Sequence, residues 1–219
     1  MNVLGFIEKY ARDLDAIGSE PPPAPRWDQD WFPRLDAAAA YAIVRGTKPR
    51  RIVEVGSGHS TRFLARAVAD GRLDTHITAI DPRPRAKITG LNIEWLQTHV
   101  ETLDHRPFAA LAANDILFID SSHQRKPGND VDFLLQEVIP RLPSGTRVHF
   151  HDIFLPDGYP GQWAWRCYNE QEAVAELLEQ GVFSLDFSCH QASKNLPEAL
   201  ARLPLIPGAV ESSLWLTKR

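Results

Sequence analysis

The order of apolar and polar positions predicts alternating strands and helices from residue 51 onward. Short apolar runs bounded by glycine or proline are typical of buried strands, and longer runs with apolar residues three or four apart are typical of helices. The predicted strands are RIVEV, HITAI, IEWLQT, DILFI, TRVHF, VFSLDFSC and SSLWLTK. Because helical stretches separate the early strands, we expect a doubly wound, seven-stranded, mostly parallel α/β sheet. The last two strands lack a full crossover helix, which predicts an antiparallel C-terminal hairpin.

Residues 1–46 are predicted to form helices around a proline-rich connector, SEPPPAPRWDQDWFPR. The first helix carries apolar residues on one face, at Leu4, Ile7, Ala11 and Leu14. The connector holds Trp27, Trp31 and Phe32, and aromatic residues in such a segment usually pack onto a domain or over a cleft. We therefore separate residues 1–46 from an α/β domain at 47–219. The first part is expected to cap the cleft or to contact a partner subunit in a homodimer.

Composition and charge narrow the class of protein. The 219 residues are 43% hydrophobic and 24% charged, which is ordinary for a globular domain. A net charge of −4 argues against a nucleic-acid partner, which usually requires a basic surface. No apolar run is long enough to span a bilayer, and the N-terminus lacks the features of a signal peptide. We expect a cytoplasmic protein that acts on a small molecule, without nucleic-acid or membrane partners.

The loop EVGSGHST follows the first strand at the edge where open α/β sheets bind ligands. Gly56 and Gly58 permit a tight turn, and the next helix offers free N–H groups to an anionic group. The third glycine of the dinucleotide fingerprint is missing, which argues against a dinucleotide. Asp81 ends the second strand, where a carboxylate can accept hydrogen bonds from ribose hydroxyls, although an acid that closes a turn is the structural alternative. Together these features indicate an adenosine-containing ligand.

With this loop, this acid and this order of elements, the sequence resembles the class I S-adenosylmethionine-dependent methyltransferases from about Arg51 to its end. The resemblance implies that residues 47–219 bind S-adenosylmethionine. It also implies that the methionine moiety lies on the loop after the first strand, with Asp81 on the ribose and Glu101 near the adenine. The predicted cofactor-binding residues are Glu54, Gly56, Ser57, Gly58, Ser60, Thr61, Asp81, Glu101 and Asp120.

A second group of polar residues follows the fourth and fifth strands, in DILFIDSSHQ and RVHFHDIFLPDGYP. Adjacent parallel strands end at one edge of the sheet, so Asp120, His123, His151 and Asp152 are expected to lie together. Each alone could be a helix cap or a core histidine, but four ionisable groups in one cleft indicate a functional site. Carboxylates with an imidazole suit a divalent cation that keeps open positions for substrate.

This pattern resembles the metal-dependent O-methyltransferases that act on sugar hydroxyls of natural products, and more distantly the catechol type. The resemblance implies that Asp120 and Asp152 bind magnesium and that His123 is the general base. His151 stands where those enzymes carry a carboxylate, and a nitrogen ligand moves the preference from magnesium towards manganese, iron or zinc. We therefore predict Asp120, His151 and Asp152 as metal ligands in an O-methyltransferase that acts on a small-molecule acceptor.

Two other functions are compatible with the same residues. The acid and histidine group could serve a metal-dependent hydrolase or lyase in which the glycine loop is only structural. The chain could also be a catalytically silent binding module, because a fold alone does not determine a function.

The segment GYPGQWAWRCYNE follows the fifth strand and is positioned to form a wall of the acceptor pocket. Its aromatic residues, Trp163, Trp165 and Tyr168, suit a sugar or a planar ring, and Arg166 suits a carboxylate or a phosphate. Hydrophobic packing without a ligand is the alternative interpretation of this segment.

Overall fold

The computed structural model describes residues 1–18, 20–196 and 198–219. In this part of the chain, seven strands form one sheet in the order β3-β2-β1-β4-β5-β7-β6. The strands are β1 (Arg51–Val55), β2 (His76–Ile80), β3 (Glu94–Leu96), β4 (Ile116–Ile119), β5 (Arg147–Phe150), β6 (Phe183–Ser188) and β7 (Leu214–Lys218). The first five strands pair in parallel, and β7 pairs antiparallel with both β5 and β6. The predicted α/β sheet with a reversed C-terminal hairpin is confirmed.

Helices flank the sheet, with two early helices where the N-terminal pattern suggested one. The helices are α1 (Val3–Lys9), α2 (Ala11–Asp15), α3 (Arg34–Thr47), α4 (His59–Gly71), α5 (Arg106–Ala109), α6 (Asp130–Phe133), α7 (Glu170–Glu179), α8 (Cys189–Ser193) and α9 (Glu198–Ala201). Helix α6 continues as a π turn at Leu134–Val138 and a 3-10 turn at Ile139–Arg141. None of the described helices is long and apolar enough to cross a membrane.

The central strands are apolar on both sides because each side of the sheet faces its own core. Along β1, Ile52 belongs to the core beneath α3 and α4, whereas Val53 belongs to the core on the opposite side. The same alternation places Phe118 and Leu117 of β4 in opposite cores. This double burial fixes the register of the strands and therefore fixes which side chains emerge at their carboxyl ends.

The N-terminal residues share a core with the sheet. Helix α3 is buried without interruption from Leu35 to Val44. Ahead of it, Trp27 and Phe32 are buried and pack on Phe63 of α4, with ring centroids 5.0 and 6.4 Å away. Trp31 differs, since 49% of its surface is exposed. The N-terminal part therefore packs on the sheet through Trp27 and Phe32, and its role as a cap or a dimer contact stays a prediction.

Candidate active site

The loop after β1 approaches the end of β4 so closely that residue 56 must be glycine. Gly56 has a φ of +80°, and a Cβ atom there would lie 1.8 Å from the carbonyl oxygen of Asp120. A side chain would push the two strand ends apart. The contact places the glycine loop directly beside the second group of predicted site residues.

Glu54 supports this loop from inside the protein. Its side chain is fully buried and accepts hydrogen bonds of 2.6 Å from the hydroxyls of Ser60 and Thr61. Thr61 in turn accepts a 2.9 Å hydrogen bond from the backbone N–H of Gly58. Burial raises the pKa of Glu54 to about 8, although both hydroxyl hydrogen bonds lower it. Glu54 and Thr61 thus hold the loop in shape and lie outside the lining of the two cavities described next.

The first cavity, of about 650 Å³, lies over the carboxyl ends of β1, β2 and β4. It is large enough for a cofactor-sized molecule. Predicted cofactor residues line it, namely Gly56, Ser57, Asp81, Glu101 and Asp120. Three polar atoms of its lining residues are buried without a hydrogen-bond partner, namely Ser57 Oγ, Ser121 Oγ and Glu101 Oε2. Such atoms are costly unless a polar ligand or water satisfies them, so this cavity suits a polar ligand.

Asp81 already holds two backbone groups at the edge of the first cavity. Its Oδ2 atom accepts a 2.7 Å hydrogen bond from the N–H of Ser57, and its Oδ1 atom accepts one of 2.7 Å from the N–H of Arg83. A carboxylate has about four acceptor sites, so two remain available to hydroxyl groups. The strand-end acid therefore shapes the loop and can still face a ligand.

The second cavity, of about 140 Å³, lies beside the first and is bounded by the other predicted residues. They are Asp120, His123, His151 and Asp152, with Gly58 and Ser60 opposite. Aromatic and basic side chains form much of the remaining wall, namely Trp31, Phe32, Arg85, Trp163, Arg166 and Tyr168. The two cavities share Ser57, Arg85 and Asp120. Molecules in the two cavities would therefore meet at Ser57 and Asp120.

His123 is buried among three carboxylates. Its Nε2 atom lies 3.3 Å from Asp120 Oδ1 and 3.6 Å from Asp152 Oδ2, and its Nδ1 atom lies 3.0 Å from Glu170 Oε2. Burial lowers the pKa of His123, but the hydrogen bonds to Asp120 and Glu170 and the nearby negative charges outweigh burial and raise it. Glu170 thus fixes the ring so that Nε2 points at the centre of the group.

His151 repeats this arrangement from the neighbouring strand end. Its Nδ1 atom lies 3.4 Å from Asp120 Oδ1 and 3.5 Å from Asp152 Oδ1, while its Nε2 atom lies 3.3 Å from Asp36 Oδ2. Burial lowers the pKa of His151, and the charges of Asp120 and Asp152 outweigh it, so the pKa is raised. A carboxylate behind an imidazole is the usual support of a histidine that binds a metal.

Ligand atoms of Asp120, His123 and His151 all lie within 4.8 Å of one another, close enough for one cation to reach all three. Burial raises the pKa of Asp120, but the charges and hydrogen bonds of His151 and His123 outweigh burial, and the pKa is lowered far below its usual range. The predicted ligand Asp152 is not one of these three, although its carboxylate lies 3.5 Å from His151 and 3.6 Å from His123. Asp152 also accepts a 3.1 Å hydrogen bond from Ser212 Oγ. The donor set of carboxylates and imidazoles therefore fits a divalent cation.

Two site residues have an unusual backbone. His123 and Asp152 have φ values of +57° and +55°, in the left-handed region that few residues other than glycine adopt. Such conformations cluster at functional sites because the surrounding structure must hold them. Here they turn both side chains from their strand ends into the second cavity.

Asp36 and Glu170, which orient the two imidazoles, were missed by sequence reasoning. Asp36 carried a usable signal, because it is the one charged residue in the apolar helical run LDAAAAYAIV. In the structure it is fully buried and also accepts hydrogen bonds from the N–H groups of Ser212 and Ser213. Glu170 carried no such signal, since an acid in the first turn of a helix is common.

Comparisons with known proteins agree with this fold. Residues 53–153 match the family model of the methyltransferase domain. The fold is similar to that of the methyltransferase PaMTH1 of Podospora anserina bound to SAH, with 16% identity, a TM-score of 0.55, and 98% of this chain and 88% of that chain covered. It is also similar to the O-methyltransferase of Bacillus cereus in complex with SAH, with 12% identity, a TM-score of 0.50, and coverage of 100% and 91%.

A third similar structure is that of cmcI-D160 with Mg-SAM, with 16% identity, a TM-score of 0.50, and coverage of 93% and 89%. No curated protein sequence matches the chain significantly. The sheet order and the similar solved structures show the fold of the class I methyltransferases. Because residues 53–153 match the model of a methyltransferase domain, the resemblance drawn from the sequence is confirmed.

Proposed function

We propose that this protein is an S-adenosylmethionine-dependent O-methyltransferase that acts on a small hydroxylated molecule with the help of a divalent cation. One observation carries the proposal: a cofactor-sized cavity and a smaller cavity lined by acids and histidines meet at Ser57 and Asp120. Methyl transfer requires a donor and an acceptor to meet in line, and the junction of the two cavities provides that meeting point.

In this proposal the first cavity holds the cofactor. Asp81 accepts hydrogen bonds from the ribose hydroxyls, and Glu101 lies where the adenine binds. The loop from Gly56 to Gly58 surrounds the methionine moiety, and Ser57 Oγ gains the hydrogen-bond partner that it lacks within the protein. When bound, S-adenosylmethionine supplies an activated methyl group and its own leaving group.

Asp120, His151 and Asp152 hold the divalent cation in the second cavity. When bound, such a cation orients a hydroxyl group and lowers its pKa. This ligand set combines carboxylate oxygens with an imidazole nitrogen. Such a mixture favours manganese, iron or zinc over magnesium, because magnesium prefers oxygen ligands. The carboxylate of Asp36 behind His151 fixes the ring and leaves Nδ1 directed at Asp120 and Asp152.

His123 in its neutral form takes the proton from the acceptor hydroxyl through Nε2. Because the nearby carboxylates raise its pKa, the neutral form would require the charge of a bound cation to offset theirs. The Glu170 carboxylate accepts a hydrogen bond from Nδ1, which sets the tautomer and stabilises the positive charge that the ring acquires. The same Nε2 atom also lies within reach of a cation bound by Asp120 and His151. Metal content of the His123→Ala variant distinguishes a base from a further ligand, because loss of a base leaves the metal in place.

The test is transfer of a radiolabelled methyl group from S-adenosylmethionine to a panel of catechols, phenols and sugars, with and without chelator. We expect turnover that stops in chelator and returns with manganese or zinc. Asp120→Asn should lose turnover and metal together, whereas Asp28→Asn, at an exposed aspartate outside both cavities, should match the wild type. Metal-dependent turnover of substrate without S-adenosylmethionine would contradict the proposal and favour a hydrolase or lyase.

A further inference from the structure

The second cavity contains an arginine whose charge the protein leaves unmatched. Arg166 is partly buried, and its Nε atom is buried without a hydrogen-bond partner. Its Nη1 atom donates a 3.0 Å hydrogen bond to the hydroxyl of Tyr168. Among the residues that the structure describes, no carboxylate forms an ion pair with it. A buried N–H without a partner is costly, so an acceptor group from outside the protein would stabilise this arrangement.

The guanidinium group is held in place rather than left free in solvent. It stacks on Trp163, with 4.2 Å from Cζ to the ring centroid, and the carbonyl oxygen of Arg166 accepts a 2.7 Å hydrogen bond from Gln124 Nε2. The ring of Tyr168 lies 4.8 Å from that of His123. Tyr168 therefore contacts both Arg166 and His123, the residue that we propose as the base.

The chemistry of this arginine selects for an anion. A planar guanidinium presents parallel N–H groups that match a carboxylate or a phosphate, and a stacked guanidinium is weakly hydrated. Three carboxylates line this cavity. Asp120 and Asp152 are engaged with His123 and His151, and Asp30 forms no ion pair with Arg166 among the described residues. Arg85 on the facing side stacks on Trp31 at 4.2 Å, but it lines both cavities and so is not specific to the acceptor.

We propose that Arg166 binds an anionic group, a carboxylate or a phosphate, on the acceptor molecule. The inference rests on the proposed function, because it takes the second cavity as the acceptor site. It narrows the substrate class to hydroxylated acids or phosphate esters, with the hydroxyl at His123 and the anion at Trp163 and Arg166.

Calorimetry with the metal-loaded protein and SAH tests this subsite without knowledge of the natural acceptor. The probes are 3,4-dihydroxybenzoate and its neutral analogue 3,4-dihydroxybenzamide. Wild-type protein should bind the acid about tenfold to a hundredfold more tightly, the usual value of a charge-assisted hydrogen bond. Arg166→Gln should abolish that preference, and Arg166→Lys should keep part of it. Arg141→Gln, at an exposed arginine outside the cavity, should leave it unchanged.

Further measurements show whether the subsite accepts a phosphate as well as a carboxylate. They also distinguish a wrong subsite from a wrong methyltransferase function. Competition by millimolar inorganic phosphate would extend the subsite to phosphate esters, and lack of competition would restrict it to carboxylates. Equal binding of acid and amide by the wild type, a preserved preference in Arg166→Gln, or binding of neither probe would overturn the subsite. Absence of SAH binding in the same titrations would instead contradict the proposed methyltransferase function. Melting curves and SAH affinity of the Arg166 variants control for folding.

Discussion

Replacement of Glu54 by glutamine should change how the stability of the protein depends on pH. Glu54 is fully buried and accepts hydrogen bonds from Ser60 and Thr61. Its pKa is raised from 4.5 to about 8, first by burial and further by the charges of Asp120 and Asp81. A glutamine at this position has a similar shape, keeps a group for each hydroxyl and cannot ionise.

The magnitude follows from that pKa. A difference of 1 in pKa corresponds to about 1.4 kcal/mol, so a rise of about 3.5 corresponds to about 5 kcal/mol of unfolding free energy as an upper limit. The folded protein binds this proton more tightly than the unfolded chain does. The contribution is therefore fully present below pH 4.5 and is lost as the pH rises to 8, so stability falls across that interval.

Urea unfolding of the ligand-free protein at a series of pH values between 5 and 8.5 measures this effect. Wild type and Glu54→Gln should be similar in stability near pH 5, and the variant should become the more stable one as the pH rises. Glu172→Gln, at an exposed glutamate of α7, should follow the wild type. Parallel curves for wild type and Glu54→Gln would refute the assignment of Glu54 as a buried, protonated support of the loop.

Three further predictions concern the metal and the base. Because the pKa values of His123 and His151 are raised, a cation must displace protons when it binds, and metal affinity should rise by about tenfold per pH unit for each proton released. Calorimetry in buffers of different ionisation enthalpy counts the released protons. A metal affinity that does not depend on pH would argue against the site. His123→Ala should keep its metal and lose about two to four orders of magnitude in turnover, whereas His76→Ala, an exposed histidine on β2, should lose nothing. His151→Asp should shift metal preference towards magnesium in competition titrations, since oxygen replaces nitrogen, and unchanged preference would mean that His151 does not bind the metal.

The sheet was predictable from the sequence because its central strands are short apolar runs, and such runs fit few secondary structures other than a buried strand. Strands β1 and β2 begin and end at the predicted residues, whereas β3 spans Glu94–Leu96, shorter than its predicted run. An edge strand pairs with only one neighbour, and that pairing determines where the strand begins and ends. The pairing cannot be predicted from the residues of the edge strand alone. The position of Asp81, Asp120 and Asp152 at strand ends followed directly from the predicted strands.

The residues behind the site could not be found in this way, because they reach it from elements distant in the chain. Asp36 contacts His151 across 115 positions, and Glu170 contacts His123 across 47. His149 shows the opposite case: it shares a strand face with His151, yet it stacks on Phe118 at 3.6 Å and lies in the core. Strand alternation predicts the face of a side chain, but only tertiary packing decides whether that side chain reaches the cavity.

Calorimetric titration of the folded wild-type protein with SAH, S-adenosylmethionine and NADH tests the central claim most directly, since it requires no acceptor. We predict that both sulfur compounds bind at one site per chain and that NADH does not bind. Asp81→Asn should weaken that binding, because the cavity loses a charged acceptor for the ribose hydroxyls. Failure of both sulfur compounds to bind a protein shown to be folded would contradict the claim that the first cavity is a cofactor site.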